Sequence, residues 1–250
     1  SNRTQTAGQG LKRSIALYRP PGGNVTYVSG QLPIDDAEYA DHVTVHNPAG
    51  LFVTFFKEAL ARHGVKVSGR TRTLNWLDRQ VSPLEVAKYV ELSALESLPL
   101  RDLVREIQKP SQNLYADLLL AHVGANSLTT NTPPPQTSEE RGIAALEIFL
   151  SQAGIGKGDV QFEEGSGLSR NNLTTPNATV ALLQFMSRHK WADVYRDALP
   201  IAGVDGTLHN RMKDTPAAGN VRAKTGTLRW ANALSGYVTS AAGERLVISI

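Results

Sequence analysis

The segment 221–250 contains three strand-like runs, VRAKTGTL (221–228), ANALSGYVTS (231–240) and RLVISI (245–250). Between residues 47 and 220, the chain is dominated by stretches with apolar residues at helical spacing. Helices that precede consecutive strands favour an antiparallel sheet with helices packed against it. The sequence therefore predicts an α+β fold.

Start signals of three helices are visible in that earlier part of the chain. Asn47 with Pro48, Thr137 with Glu140, and Thr175 with Pro176 each precede an apolar periodic segment. Two more helices are predicted over 100–108 and from Asn113 to a stop at Gly124. A strand is predicted over 67–77 (VSGRTRTLNWL), and a proline-rich loop over 125–136.

A different pattern occupies the first 46 residues. Short alternating runs, SIALY (14–18), NVTYVSGQL (24–32) and HVTVH (42–46), predict a small antiparallel β unit. The change to helical periodicity at Asn47 predicts a domain boundary there. We expect domains at 1–46 and 47–250.

Composition excludes several classes of function. The net charge of +3 is scattered over 250 residues, which gives no reason to expect a nucleic-acid partner. The absence of cysteine excludes thiol nucleophiles and cysteine metal sites. No Asp/Glu/His cluster completes a metal site with His42 and His46, so we expect no metal and no cofactor. No apolar run reaches the length of a transmembrane segment.

The triplet Lys224, Thr225, Gly226 is the first candidate for chemistry. An ammonium group and a hydroxyl beside an edge strand can hold the carboxylate end of a peptide that adds as an extra strand. Glycine within a strand commonly marks a place where another group approaches the backbone closely. The alternative is a solvated lysine on an edge strand, and the triplet alone does not separate the two.

A Ser-Xxx-Asn triplet, the second candidate, occurs twice. Ser111 and Asn113 precede an apolar helix in KPSQNLYADLLL, and Ser169 and Asn171 lie in GSGLSRNNL. Either pair of polar side chains is able to face a cleft. The triplet itself leaves both open.

Longer segments carry a family resemblance. In this order, KPSQNLYADLLL, EEGSGLSRNNLTTP and LPIAGVDGTLHNRMKDTPAAGNVRAKTGTL resemble the penicillin-binding D-alanyl-D-alanine carboxypeptidase/endopeptidase family of the penicillin-binding protein 4 type (class C, peptidase family S13). The resemblance implies a β-lactamase/transpeptidase-like sheet flanked by helices over 47–250. It also implies that 1–46 is the tail of a β-rich inserted domain. Glu164 departs from the aspartate usual in the family before Gly165.

The resemblance assigns roles to three catalytic candidates. It implies that Ser111 relays a proton to the leaving amine, that Asn113 holds the substrate amide, and that Lys224 sets a local positive potential. These are the parts that acyl transfer by a serine needs besides its nucleophile and base.

It assigns three further residues to substrate binding. Thr225 is expected to bond the terminal carboxylate, Gly226 to leave room for the substrate, and the backbone N–H of Thr227 to donate to the oxyanion. The implied ligands are peptidoglycan peptides and β-lactams.

The family's nucleophile and base come from a Ser-Xxx-Xxx-Lys motif upstream of the other two motifs. No serine before Ser111 has a lysine three positions later, and the single match is Ser187 with Lys190. That pair falls at the end of a predicted helix, where the helix dipole opposes an oxyanion. We therefore expect the nucleophile on an upstream segment of the same protein and residues 1–250 to be a C-terminal portion without the strands that follow.

These observations predict a serine D-Ala-D-Ala carboxypeptidase/DD-endopeptidase that acts on peptidoglycan stem peptides and is acylated by β-lactams. The location expected is the bacterial periplasm or cell envelope, with any signal peptide on a longer precursor. The alternative is a peptidoglycan-binding protein that keeps the substrate cradle without acylation.

Overall fold

A computed structural model describes residues 1–127 and 136–250. The chain divides into two compact units, Ser1–Ser93 and Ala94–Ile250. Most of the loop predicted over 125–136 lies outside the described residues. The domain boundary near residue 47 stays a prediction.

The first unit begins with a mixed three-stranded sheet. Strands β1 (Asn2–Ala7), β2 (Ser14–Tyr18) and β3 (Tyr27–Pro33) are arranged β1-β3-β2. Strand β2 is antiparallel to β3, but β1 is parallel to it. The prediction of a wholly antiparallel unit is therefore wrong.

The third strand predicted there, at 42–46, is also wrong. Strand β3 already has a partner on each edge, and 42–46 is irregular chain. The His46 N–H instead donates to Asn24 Oδ1 (2.9 Å). The polar sequence of β1, NRTQTA, lacks the apolar alternation by which a half-buried strand is recognised, so pattern reasoning missed it.

Two α-helices and a 3₁₀ turn (Val86–Lys88) complete the first unit. Helix α1 (Pro48–Arg62) begins as predicted, with the Asn47 side chain accepting the Gly50 N–H at 2.8 Å. Helix α2 (Trp76–Val81) and irregular chain occupy the segment predicted as a strand over 67–77, so that prediction is wrong. A capping box between Asn75 and Asp78 starts α2, and this local signal outweighs the alternating pattern.

The second unit contains five helices, a 3₁₀ turn and five strands within its described residues. They are α3 (Leu100–Gln108), α4 (Asn113–Asn126), α5 (Ser138–Gln152), β4 (Val160–Gln161), β5 (Leu173–Thr174), α6 (Pro176–Arg188), α7 (Ala192–Ala198), the 3₁₀ turn Gly206–Leu208, β6 (Arg222–Leu228), β7 (Ala231–Thr239) and β8 (Arg245–Ser249). No helix in the described residues has both the length and the apolar character needed to cross a membrane.

Helix starts in this unit follow the predicted signals. Thr137 and Glu140 form the capping box of α5, and Thr175 caps α6 by accepting the Ala178 N–H at 3.1 Å. Helix α4 continues two residues beyond the stop predicted at Gly124. A Cβ at Gly124 would collide with the Ser138 carbonyl oxygen, so this glycine serves the contact between α4 and α5 rather than ending a helix.

Strands β6, β7 and β8 form an antiparallel sheet in that order, which confirms the α+β prediction. The Tyr237 hydroxyl of β7 donates to the Leu183 carbonyl of α6 (2.7 Å) and fixes this helix against the sheet. Below β6 lies a buried apolar cluster, Ala202, Leu208, Val221 and Ala223. Burial of these side chains anchors β6 and the segment 199–208 to each other.

The free edge of β6 is the feature that positions the site. The Ala223 N–H points away from β7 and donates to the Pro200 carbonyl at 2.9 Å. Because backbone groups alternate along a strand, the N–H groups of Thr225 and Thr227 point to the same edge. Among the described residues, no backbone group pairs with those two N–H groups.

Candidate active site

Lys224 and Ser111 meet across the second unit. Lys224 Nζ donates to Ser111 Oγ at 2.7 Å and to the Thr225 carbonyl oxygen at 2.8 Å. The two residues are 113 positions apart in sequence. The Lys224 side chain therefore bends to the edge of β6 and places its ammonium group beside a hydroxyl from another element.

The backbone at Ser111 is strained. Ser111 adopts the left-handed conformation (φ 63°) between α3 and α4, which a non-glycine residue rarely occupies and which costs about 1–3 kcal/mol. Asn113 is the first residue of α4, so both side chains lie at the positive end of that helix dipole. This end of the helix favours groups that become negative during a reaction.

Burial changes the acidity of the ammonium group. It lowers the pKa of Lys224 below the ordinary lysine value, because the charged form loses hydration. A lysine with a lowered pKa gives up a proton more readily than a solvated one. Lys224 thus combines a positive potential with a proton that is easier to move.

A pair of threonine hydroxyls lies beside the same strand. Thr225 Oγ1 and Thr207 Oγ1 are 2.8 Å apart. Thr207 lies within the segment 199–208 that supports β6, directly before buried Leu208, so its position is fixed by the core. Thr207 was not predicted as a site residue, although its place in VDGTLHNR, within a segment of the family resemblance, was an available signal.

These groups line one cleft of about 1280 Å³. Its lining includes every residue predicted for the site: Ser111, Asn113, Lys224, Thr225, Gly226 and Thr227. A Cβ at Gly226 would meet only Ala233 Cβ, at 3.6 Å, which is an ordinary contact. Packing within the chain therefore does not require a glycine at this position.

The other Ser-Xxx-Asn triplet is closed within its own loop. The Ser169 hydroxyl donates to the Glu163 carboxylate, and Asn171 Nδ2 donates to the same carboxylate at 3.1 and 3.2 Å. These bonds lower the pKa of Glu163, with the Ser169 bond contributing most. Of the two triplets, the structure brings only Ser111 and Asn113 into the cleft with Lys224.

Glu164 organises the GSGLSR loop. Its carboxylate accepts the N–H groups of Ser166 (2.6 Å), Gly167 (2.8 Å) and Ser169 (3.1 Å), and also the Ser166 hydroxyl and the Asn172 amide. Burial raises the pKa of Glu164, but these hydrogen bonds outweigh burial and bring the value to about 2. The longer glutamate side chain thus still supports the loop.

This loop packs closely on α4, one turn beyond Asn113. The Gly165 N–H donates to Asp117 Oδ1 at 3.0 Å, and a Cβ at Gly165 would lie 2.8 Å from the Ala116 carbonyl oxygen. Burial raises the pKa of Asp117, and the neighbouring Glu164 adds to this effect. Gly165 is therefore required by helix packing, unlike Gly226.

The Ser187 and Lys190 pair is not arranged as a nucleophile and base. Ser187 Oγ donates to the Gln184 carbonyl of its own helix (2.7 Å), and Lys190 Nζ lies over the ring of Trp191. Both residues are exposed, and neither lines the cleft. Trp230 also lies outside the cleft lining and is 87% exposed.

In the described ranges, no group of three or more His, Asp and Glu side chains is placed to hold a metal ion. The site consists of hydroxyl, amide and ammonium groups around an open strand edge. Such a set can bind a peptide carboxylate and transfer protons.

Known D-alanyl-D-alanine carboxypeptidases are similar to this chain in sequence. A D-alanyl-D-alanine carboxypeptidase from Actinomadura sp. (strain R39) is 34% identical over 252 residues, covering 97% of this chain and 44% of that protein. The D-alanyl-D-alanine carboxypeptidase DacB of Haemophilus influenzae is 35% identical over 152 residues, 60% of this chain and 31% of that protein.

The fold has a solved counterpart. A crystal structure of penicillin-binding protein 4 from Haemophilus influenzae, complexed with a β-lactam, matches with a TM-score of 0.67 and 25% identity over 95% of this chain and 52% of that one. The chain therefore spans about half the length of its relatives or less. The family model of the D-Ala-D-Ala carboxypeptidase 3 (S13) family matches residues 1–250. This match confirms the resemblance found in the motifs, and the chain belongs to that family.

Proposed function

We propose that this chain is the substrate-binding part of a serine D-Ala-D-Ala carboxypeptidase/DD-endopeptidase. The substrates of the whole enzyme are peptidoglycan stem peptides, and β-lactams acylate the enzyme. Family membership and the names of the relatives support the reaction class. The extracytoplasmic cell envelope is the corresponding location.

The observation that carries the proposal is the 2.7 Å hydrogen bond from Lys224 Nζ to Ser111 Oγ at the open edge of β6. Since the lysine donates to the serine oxygen, the serine proton is free to point elsewhere. In acyl transfer, the attacking serine forms a bond to the substrate carbonyl and the C–N bond breaks. The attacking serine gives its proton to its base, Ser111 gives its own proton to the leaving amine, and Ser111 is reprotonated from that base. Lys224 stabilises the negative charge that develops on Ser111 Oγ during the transfer.

Substrate binding uses the strand edge. The terminal carboxylate bonds to the Thr225 hydroxyl, next to Thr207, and the Thr227 N–H donates to the oxyanion. The Asn113 amide holds the substrate amide at the start of α4. Gly226, which packing leaves unconstrained, gives the peptide access to the edge.

The nucleophile and its base belong to a segment upstream of residue 1, which acts as the intramolecular partner of this chain. Two observations support this assignment. Ser187 and Lys190, the one Ser-Xxx-Xxx-Lys match, point away from the cleft. The relatives are also about twice as long as this chain or longer.

Labelling with a fluorescent penicillin tests the proposal. We compare residues 1–250 with the extended protein, defined as the same chain joined to its natural upstream segment. We expect a covalent label on the extended protein only, with Ser187→Ala as a control that labels at the unchanged rate.

Two outcomes would contradict the proposal. If neither form is labelled although each binds peptidoglycan peptides, the chain is a binding protein without acylation. If residues 1–250 are labelled alone, or if Ser187→Ala abolishes the label, the nucleophile lies within this chain.

A further inference from the structure

Lys109, two residues before Ser111, has an unusually complete set of partners. Its Nζ donates to both carboxylate oxygens of Asp205 (2.9 and 2.7 Å) and to the Leu199 carbonyl oxygen (2.7 Å). The Lys109 side chain is 14% exposed, and that of Asp205 is 35% exposed. Three acceptors around one partly buried ammonium group fix its position far more firmly than a surface ion pair does.

Asp205 is held from its other side as well. Its Oδ1 accepts the Ile201 N–H at 2.9 Å. The Lys109 carbonyl oxygen accepts the Thr207 N–H at 3.1 Å, so the two short segments are joined by both side chain and backbone. Gly206 lies between them with φ 56°, and a Cβ there would be 2.7 Å from the Lys109 carbonyl oxygen. The segments thus approach as closely as a glycine allows.

These bonds link the two chain segments that lead from Lys109 and Asp205 to the candidate active site on β6. From Lys109 the chain leads to Ser111, which accepts from Lys224 on β6. From Asp205 it leads to Thr207, whose hydroxyl contacts that of Thr225, also on β6. The Lys109–Asp205 pair therefore connects the segment that carries Ser111, the proposed proton relay, to the segment that carries Thr207, which contacts the carboxylate-binding Thr225.

We infer that Lys109 and Asp205 are a positioning pair for acylation: they set the distance between Ser111 Oγ and Lys224 Nζ and align it with the Thr207–Thr225 hydroxyls. This role rests on the proposed function. Neither side chain touches substrate in it. Their effect passes through Ser111, whose left-handed backbone needs support from its surroundings, and through Thr207.

The test is the kinetics of acylation by penicillin in the extended protein, separated into the binding constant and the rate constant of acylation. We expect Lys109→Met, which keeps the shape and removes the donors, to lower the acylation rate constant by about 10²-fold, because a displacement of about 1 Å has such an effect. The binding constant should change less than about threefold. Asp205→Asn, which keeps one of the two oxygen acceptors and replaces the other with an NH2 group, should lower the rate constant by about tenfold.

Two further measurements separate positioning from general destabilisation. The double variant should be no slower than Lys109→Met alone, since both residues act as one unit. The control is Asp193→Asn, which breaks the exposed Arg196–Asp193 pair (3.0 Å) on α7 and should leave the rate constant within about twofold. The acylation rate constant is calculated only from the molecules that become labelled, so that unfolded molecules do not lower it.

Unchanged acylation in both Lys109→Met and Asp205→Asn, with the parent protein labelled normally, would overturn this inference and leave the proposed function intact. The same holds if both variants lose only thermal stability. An unlabelled parent protein would overturn the proposed function and this inference with it. If Lys109→Met does not fold, the rate constant of Asp205→Asn decides.

Discussion

The two Ser-Xxx-Asn triplets of this chain have the same chemistry and opposite surroundings. Ser111 accepts a hydrogen bond from Lys224, and Asn113 lines the same cleft. Ser169 and Asn171 both donate to Glu163 within their own loop. The first triplet leaves its proton and amide available to a ligand, whereas the second uses them to hold the loop together.

The difference shows that residue type does not fix a role. Ser111 has its partner on a strand 113 residues away, so only the tertiary fold creates its environment. Ser169 has its partner six residues away, and that bond forms as soon as the loop does. Ser111 is bonded to a residue of a distant strand at the cleft, whereas Ser169 is bonded within its own loop and supports the structure there.

Removing Lys224 should have the largest effect on this contrast. Lys224→Met keeps the aliphatic stem but deletes the donor that distinguishes Ser111 from Ser169. We expect the second-order rate constant for acylation of the extended protein by penicillin to fall about 10³-fold, the upper range for loss of one electrostatic stabiliser. A fall of less than tenfold would show that Lys224 is not part of the reaction.

Replacing each of the two serines with alanine is the next test. Ser111→Ala should lower the acylation rate constant about 10²-fold, because the leaving amine loses its proton donor. Ser169→Ala should change it less than about threefold and instead lower the free energy of unfolding by about 1 kcal/mol through lost loop hydrogen bonds. Stopped-flow labelling and urea unfolding measure the two effects, and a reversed result would exchange the roles.

The structural role of the GSGLSR loop can be tested through its packing on α4. Gly165→Ala places a methyl group 2.8 Å from the Ala116 carbonyl oxygen, and we expect it to lower the free energy of unfolding by about 2 kcal/mol. Gly69→Ala is the matched control, since no atom lies within 4 Å of a Cβ there. Equal urea midpoints for the two variants would contradict the close packing.

Glu164 gives the smallest effect, with a defined pH dependence. The pKa of Glu164 falls from 4.5 to about 2 on folding, so its contribution to stability is complete above pH 4.5 and is lost as pH falls toward 2. We expect Glu164→Gln to be about 1 kcal/mol less stable at pH 7. The full pKa shift of Glu164 corresponds to a larger loss of stability. Part of that loss is offset because a neutral residue 164 no longer raises the pKa of Asp117. Urea unfolding at pH 7, 4 and 3 should show the difference shrinking; a constant difference would contradict the assignment.

Local signals in the sequence predicted much of the fold. The caps at Asn47, Thr137 and Thr175 start helices where expected, because each requires only residues within one turn. The strand order β6-β7-β8 follows from consecutive strands. The parallel strand β1 was missed because its polar sequence lacks the apolar alternation of a half-buried strand, and a strand over 67–77 was wrongly predicted because the capping box of Asn75 and Asp78 starts a helix there.

The candidate site was predictable in its residues but not in its geometry. The family resemblance of the longer segments singled out Ser111, Asn113 and Lys224. The contact of Thr207 with Thr225 and the Lys109–Asp205 pair join residues that are 18 and 96 positions apart in sequence, so they depend on the tertiary fold and not on a local pattern. Gly124 looked like a helix stop for the same reason: its packing partner lies on another helix.

A crystal structure of the extended protein after reaction with penicillin tests most directly whether the edge of β6 holds the ligand carboxylate beside Ser111 and Lys224. We expect the ligand carboxylate within hydrogen-bond distance of the Thr225 hydroxyl, the Lys224 ammonium still bonded to Ser111, and the acyl bond to a serine outside residues 1–250. A ligand bound beside Ser169 and Asn171, or an acyl group on Ser187, would show that this cleft edge is not the substrate site.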